Sequence, residues 1–256
     1  MPTELLIVAV VVIALVVLVV YKKNRKPRRP SSVTITIGGK SFTTGGDVAA
    51  PVDKTIPTPA VGFGYKCMWF AVKTDDKNRV AAMLQLVNVS ECNWQTGILE
   101  AYKGSVFVTP AVDGWTLACG WGLPHGDTRE QVDEVKSILR TLSREFGEAQ
   151  FFGTHRVVEC HCWMKATNGR VERAYNSVEG TTLVVEGPPT EVEQPLNLVN
   201  TLSEEAKDER YFEREDIVWP DEELVMNVAK HWSINPTTLD ERNDVTPGLG
   251  LLGKRR

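Results

Sequence analysis

Residues 128–146 read TREQVDEVKSILRTLSREF, and this stretch decides the class of fold. Its apolar residues recur at the spacing of one face of an amphipathic helix. Gly147 follows directly, and glycine is the residue that most often ends a helix. The pattern predicts a helix over 128–146 with one buried face, made by Val132, Val135, Ile138, Leu139, Leu142 and Phe146.

The segments on both sides of this helix have the composition of strands joined by tight turns. Asp113-Gly114 and Asn168-Gly169 are typical of two-residue hairpin turns. The stretch 150–165 is predicted to be one extended strand. The full set of predicted strands is 67–73, 105–109, 115–120, 150–165, 170–175 and 182–186.

Two further helices are predicted, at 76–87 and at 221–232, where Asp221 is placed as the N-cap. The central order is then strand, helix, strand, strand, helix, strand, followed by another hairpin. This order predicts an α+β domain with a mainly antiparallel sheet. It fits an enlarged ferredoxin-like β-α-β-β-α-β core.

The N-terminus has the pattern of a membrane anchor. Every residue from 5 to 20 is apolar, and Tyr21 closes the run where amphipathic aromatic residues favour the lipid interface. A helix over 5–21 would be about 25 Å long, enough to cross a thin bilayer. A cleaved signal peptide fits less well, because no basic residue precedes the run and no small residues follow it.

Positive charge lies only on the C-terminal side of this run, so the positive-inside rule predicts that this side is cytoplasmic. We therefore expect a single-pass protein of the inner (plasma) membrane whose domain faces the cytoplasm. The flank of the anchor comprises Tyr21, Lys22, Lys23, Arg25, Lys26, Arg28 and Arg29.

Five segments follow from these patterns. They are a short extracytoplasmic N-terminus (1–4), a transmembrane helix (5–21), a basic arm with a Pro/Gly/Thr-rich linker (22–64), a soluble α+β domain (65–239) and a disordered tail (240–256).

Charge is distributed unevenly between the arm and the domain. The first thirty residues hold six of the 29 basic residues and one of the 33 acidic ones, which leaves 23 basic and 32 acidic residues in the rest. A domain with a net charge of −9 repels phosphate backbones, so nucleic acid is not expected as a partner. The expected partners are the lipid bilayer and a basic protein.

The residues 155–163, HRVVECHCW, carry the densest set of reactive side chains. In one extended strand His155, Glu159 and His161 would share a face, with Cys160 and Cys162 on the other. Two interpretations stay open. The residues are structural, or they form a metal or hydrolase site with His125 or His231. Because two side chains on one strand cannot complete a zinc site, we predict no catalytic, cofactor-binding or metal residue.

Trp94 and Trp219 are predicted to lie in loops, where they would form a recognition surface or fasten those loops to the core. The five cysteines show no CxxC spacing and are expected to be free thiols.

The motif at 146–158, FGEAQFFGTHRVV, occurs with VFVTP at 106–110, DGW at 113–115 and WSINP at 232–236. Together these resemble an uncharacterised family of bacterial proteins. The resemblance covers about residues 65–240 and implies a bacterial origin and a single domain of undetermined role. Its motifs are not tied to a known reaction, so no functional residue is carried over from it.

These observations favour a membrane-anchored, non-enzymatic interaction domain, immunity-like or scaffold-like, that binds a basic partner. The alternative is a membrane-associated hydrolase or metal-dependent enzyme that uses the segment from His155 to Cys162.

Overall fold

A computed structural model describes residues 34–37, 40–43 and 53–256. The predicted transmembrane helix and its basic flank lie outside these residues. Within them, no helix combines the length and the apolar character that a membrane crossing requires.

Most of the described chain forms one antiparallel sheet with helices on both faces. The strands are β1 (Thr34–Ile37), β2 (Lys40–Thr43), β3 (Cys67–Val72), β4 (Leu86–Asn93), β5 (Val106–Val108), β6 (Thr116–Cys119), β7 (Glu148–His155), β8 (Cys160–Thr167), β9 (Arg170–Val178), β10 (Thr181–Glu186) and β11 (Leu249–Arg255). The α-helices are α1 (Lys77–Met83), α2 (Trp94–Ala101), α3 (Arg129–Phe146) and α4 (Glu222–Trp232). Short 3-10 helices occur at Glu205–Lys207, Glu209–Glu213 and Pro236–Glu241.

Nine of the described strands form the main sheet, in the spatial order β10-β9-β8-β7-β3-β6-β5-β11-β4. All neighbouring strands in it are antiparallel. β1 and β2 form a separate two-stranded sheet. The prediction of an α+β domain with a mainly antiparallel sheet is therefore confirmed.

The alternation of side chains along β3 divides the core into two layers. Met68, Phe70 and Val72 pack under α1 and α3. Cys67, Trp69 and Ala71 point to the opposite face, where α2 and α4 pack. Because both faces of β3 are covered, all six of its residues are buried.

Helix α3 forms as its sequence predicts. The Thr128 side chain accepts a hydrogen bond from the backbone N–H of Gln131 at 3.3 Å, which satisfies one free donor of the first turn. Gly147 ends the helix with a φ of +83°, a conformation that costs glycine little. The predicted turns at Asp113-Gly114 and Asn168-Gly169 also form, with positive φ at all four residues.

The region after α1 differs from the sequence prediction. The helix predicted over 76–87 ends at Met83, and the chain continues into β4 and then α2. Gly97 explains how α2 can pack closely, since a Cβ at this position would lie 2.2 Å from the Phe107 ring. A glycine is therefore required where α2 crosses β5.

The C-terminal tail predicted to be disordered is an inner part of the sheet. β11 pairs with β5 on one side and with β4 on the other, and Leu251 is 6% exposed. The expectation failed because the strand is stabilised by distant partners rather than by its local sequence.

The folded body also begins earlier than the predicted boundary at residue 65. Ala60, Val61 and Phe63 are buried in the α2/α4 layer. The Asn93 side-chain amide donates to the carbonyls of Asp53 and Ile56 at 3.0 and 2.9 Å, which fixes this segment beside β4.

Candidate functional site

The stretch predicted as one strand over 150–165 is a hairpin, and this changes where its reactive residues lie. β7 ends at His155, residues 156–159 turn, and β8 begins at Cys160. Glu159 makes the turn with a φ of +45°. The turn contains no glycine, proline, asparagine or aspartate, so the usual turn signals could not reveal it.

The hairpin separates the predicted trio of His155, Glu159 and His161. His155 pairs with Cys160 across the two strands and lies on the face covered by α3, whereas His161 pairs with Thr154 on the face covered by α4. Glu159 remains near His161, with Oε2 3.8 Å from Nε2. The expectation that all three share one face is therefore wrong.

On the α4 face, a buried hydroxyl links a histidine to a carboxylate. Thr154 Oγ1 lies 3.2 Å from His161 Nδ1 and 3.2 Å from Glu222 Oε1. Thr154 is fully buried and His161 is 2% exposed, so no substrate reaches the hydroxyl. A hydroxyl, an imidazole and a carboxylate are also the groups of a catalytic relay, but here the hydroxyl is not accessible. These hydrogen bonds connect the first turn of α4 to the end of β7 and the start of β8.

On the α3 face, Trp121, His125, Asp127 and His155 form a second group, termed here the Trp121 cluster. The Trp121 ring stands edge-on to both imidazoles, at 4.8 Å between ring centroids in each case. Asp127 Oδ2 lies 4.0 Å from His125 Nδ1. The cluster joins the loop before α3 to the end of β7.

Hydrogen bonds to the backbone of Gly126 hold the loop that carries His125 and Asp127. The Gln131 side chain accepts a hydrogen bond from Gly126 N at 3.1 Å, and the Asn176 amide donates to the Gly126 carbonyl at 2.6 Å. The side chains of His125 and Asp127 are 27% and 30% exposed. The side chains of His125 and Asp127 are thus partly accessible at the surface, on a loop that hydrogen bonds hold at Gly126.

Two atoms of the Trp121 cluster, Asp127 Oδ1 and His155 Nδ1, are buried without a hydrogen-bond partner. Burial lowers the pKa of His155, electrostatic interactions with His125 and Lys66 lower it further, and the interaction with Asp127 raises it. His155 is therefore favoured in its neutral form, which can accept a proton or coordinate a ligand.

Nucleophilic catalysis by a cysteine has little support, because all five cysteines are buried. A hydrogen bond with Cys160 and complete burial raise the pKa of Cys162 well above its usual value. Burial likewise raises the pKa of Cys92 and Cys119. A buried thiol that stays protonated is a poor nucleophile.

No three histidine, cysteine, aspartate or glutamate side chains among residues 53–256 converge closely enough to hold a metal ion. His231 belongs to neither of these two histidine groups. Its side chain is exposed on α4 and forms a hydrogen bond with the carbonyl of Asn227 at 2.8 Å.

The two tryptophans predicted in loops have different surroundings. Trp94 is fully buried in the first turn of α2, with its ring 5.8 Å from that of Phe107. Of the two alternatives for Trp94, the recognition surface is therefore wrong, and the residue is part of the core. The predicted loop is the first turn of a helix. Trp219 is partly buried and packs beside Gly180 and a small apolar cluster.

The small apolar cluster beside Trp219 supports a strongly acidic segment of the chain. The cluster is made by Val199, which closely precedes the segment 201–223 in sequence, and by Tyr211, Phe212 and Ile217 inside that segment. This segment, termed here the acidic lobe, holds ten acidic and three basic residues. Most of the domain's net charge of −9 is therefore concentrated in 23 residues.

The basic residues of the acidic lobe are already paired within it. Arg210 binds Asp208, Arg214 binds Asp216 and Glu205, and Lys207 binds Glu204. The hydrogen bonds from Arg210 lower the pKa of Asp208 to about 2, and those from Arg214 lower the pKa of Asp216 to about 2. The exposed carboxylates of Glu209, Glu213 and Glu215 make no ion pair among the described residues.

One surface cavity, of about 400 Å³, lies away from both histidine groups. It is lined by residues 110–113 and 242–248. Arg242 bridges Asp113 and Asp244 at its wall, so its charge is neutralised. The cavity is a packing feature between the β5–β6 turn and the segment that leads into β11.

No protein-family model, curated protein or solved structure matches this chain.

Proposed function

We propose that this chain is a membrane-anchored interaction protein that presents an acidic surface to a basic protein partner at the cytoplasmic face of the membrane. The observation that carries the proposal is the acidic lobe, whose excess of seven negative charges lies in residues 201–223. Complementary charge steers a partner to a surface and selects against partners of the same sign.

The lobe is suited to this role because hydrogen bonds connect it to residues 199–200 of the domain. The Tyr211 hydroxyl accepts a hydrogen bond from Asn200 N at 2.8 Å, and Val199 N donates to the carbonyl of Val218 at 3.0 Å. A fixed array of charges binds at a smaller entropic cost than a flexible one.

A defined basic probe tests the proposal. The probe is a fluorescent lysine-rich peptide, with its fully acetylated form as the neutral reference. The variant Glu209→Gln/Glu213→Gln/Glu215→Gln removes three unpaired carboxylates. Asp75→Asn/Glu91→Gln/Glu241→Gln is the matched control, because these acids are exposed and lie outside the lobe.

At low ionic strength the lobe variant should bind the peptide about tenfold more weakly than wild type, from roughly 0.5 kcal/mol for each exposed charge. The control variant should bind like wild type, and salt should weaken the wild-type complex. Equal losses in the two variants, or equal binding of the acetylated peptide, would overturn the proposal.

The alternative is a metal-dependent hydrolase that uses the Trp121 cluster, and it is favoured by the unpartnered buried atoms of Asp127 and His155. Against it, His125, Asp127 and His155 do not converge closely enough in this structure to hold a metal ion. Zinc titration of the purified, untagged full-length chain tests it. We expect no stoichiometric zinc. About one zinc per chain, lost in His155→Ala and retained in His231→Ala, would place the enzyme first.

We also infer that β7, β3, β6 and β5 with α1 and α3 constitute a ferredoxin-like unit. What supports this is their spatial order, in which the last strand of the four lies beside the first, and the position of both helices on one face. β4, α2 and β8 to β11 would then be additions to that unit.

A further inference from the structure

The two edges of the nine-stranded sheet differ in how they are covered. At β10, Thr182 N donates to Thr201 Oγ1 at 2.9 Å and Thr201 N donates to Thr182 Oγ1 at 3.0 Å. Arg129 Nη1 also donates to the carbonyl of Leu183 at 3.2 Å. Side chains thus bond two backbone groups of β10, Thr182 N and the Leu183 carbonyl, and the backbone of Thr201 lies beside the strand, which hinders another strand from pairing there.

β4, the opposite edge, is covered only along its second half, from Ser90 to Asn93. Among residues 53–256, the segment 53–56 bonds this side of β4: the Lys54 carbonyl accepts from Asn93 N at 2.8 Å, Lys54 Nζ donates to Ser90 Oγ at 3.1 Å, and the Asn93 amide donates to the carbonyls of Asp53 and Ile56. Val89 is 42% exposed on this strand. Ile56 and Leu99, in the segment and the helix that adjoin β4, are 58% and 47% exposed.

An open strand edge with exposed apolar neighbours is a template for strand addition. The chain carries a candidate for it. β1 and β2 form a hairpin in which Ile35 pairs with Phe42 and Thr36 with Ser41. An isolated two-stranded hairpin is marginally stable at best in water, and it needs a third strand or a packed face.

The connection between hairpin and domain selects β4. Nine residues, 44–52, separate Thr43 from Asp53, so the Cα atoms of these two residues lie at most about 36 Å apart. Asp53 is already beside β4 through its contact with Asn93, and the eight residues of β4 are about 27 Å long. The β10 edge lies eight strand spacings away, about 38 Å, which is beyond this reach.

We propose that the β1–β2 hairpin adds to the free edge of β4 and extends the main sheet, covering the exposed apolar residues beside it. If the chain is anchored as the proposed function assumes, docking leaves the 12 residues 22–33, instead of the 31 residues 22–52, between the anchor and the main sheet. The acidic lobe is then held at a restricted distance from the membrane. The docking itself does not depend on the anchor or on the basic partner.

Hydrogen exchange of the full-length chain in detergent micelles tests the proposal. Thr36→Pro and Phe42→Pro each place a proline in one strand of the hairpin, where it removes a backbone donor. Ala49→Pro is the control, because it adds a proline to the connecting segment without changing the hairpin. Amides of β7 report whether the core is intact.

In both hairpin variants the β4 amides should exchange about tenfold faster than in wild type, while those of β10 and β7 stay unchanged. Ala49→Pro should leave β4 protected. Equal β4 exchange in wild type and hairpin variants overturns the proposal. So does β4 protection that persists in the variants together with a dimer mass by light scattering, which would make a second copy the occupant. A failure of peptide binding at the acidic lobe leaves this result unaffected.

Discussion

Arg173 and Glu193 form an ion pair inside the domain, with Nη2 and Nε of the arginine 2.7 and 2.9 Å from Oε1 of the glutamate. They are 3% and 1% exposed. Trp163 Nε1 donates to the same oxygen at 2.8 Å, and Thr190 N donates to the other at 2.9 Å. The pair therefore fastens the segment after β10 onto β8 and β9.

Glu193→Ala should lower the free energy of unfolding by about 3–5 kcal/mol, because it leaves the Arg173 charge buried without a partner. Glu191→Ala, an exposed neighbour, should change it by less than about 0.5 kcal/mol. Urea denaturation followed by tryptophan fluorescence measures both. The double variant Arg173→Met/Glu193→Leu should cost less than Glu193→Ala alone. A larger cost would contradict the assignment of the loss to an unpaired charge.

The same carboxylate should make the domain sensitive to acid. Burial alone would raise the pKa of Glu193, but hydrogen bonds from Arg173, Thr190 and Trp163 hold it below the usual 4.5. The unfolded chain then binds this proton more readily, so the contribution is complete above pH 4.5 and is lost as pH falls through the folded-state pKa. Glu193→Gln should show a shallower loss of stability below pH 4.5 than wild type. Identical slopes would disprove the link.

Deleting residues 249–256 should abolish cooperative unfolding, because β4 and β5 both lose their pairing partner β11. Removing Arg256 alone is the control and should leave the thermal transition intact. Calorimetry of the full-length chain and the two truncated forms checks this. A cooperative transition of unchanged enthalpy after the longer deletion would show that the strand is dispensable.

His155 should produce a second pH dependence, at milder acidity. Its pKa in the folded state lies below the usual 6.5, chiefly because of burial. The unfolded state therefore takes up the proton first, and stability is complete above pH 6.5 and declines as pH falls below it. His155→Gln should remove part of the decline that begins below pH 6.5. His231→Gln, on the exposed face of α4, should not, and equal pH profiles for all three proteins would refute the assignment.

The orientation of the anchor is testable in cells. A reporter that is active only in the cytoplasm, fused after Arg256, should be active. Neutralising Lys22, Lys23, Arg25, Lys26, Arg28 and Arg29 together should produce mixed orientations, since these charges supply the whole asymmetry. Neutralising six basic residues within the domain is the control. Activity only of an extracytoplasmic reporter would reverse the predicted topology.

Elements with strong local signals were predictable from sequence. Helix α3 has an amphipathic face, an N-cap at Thr128 and a terminating glycine, and each acts within one or two turns. The turns at Asp113-Gly114 and Asn168-Gly169 follow from residues that tolerate positive φ. Helix α4 follows in the same way from Asp221, which accepts a hydrogen bond from Leu224 N at 2.8 Å.

The candidate sites were predictable only in part. The sequence identified His155, Glu159 and His161 as chemically dense, but side-chain parity along a strand holds only while the strand is continuous. The left-handed conformation of Glu159 breaks that continuity, so His155 joins Trp121, His125 and Asp127 instead. The pairing of loop and strand end that makes this cluster has no signature in local sequence.

The sequence by itself determined the amphipathic helices, the tight turns, the uneven charge and the apolar N-terminal run, because each depends on neighbours within a few positions. Only the tertiary structure decided that Leu249–Arg255 is an inner strand, that Trp94 is core and that Arg173 meets Glu193. A strand gains its hydrogen bonds from other strands and a buried charge gains its partner from a distant loop, so these outcomes depend on contacts between residues far apart in sequence.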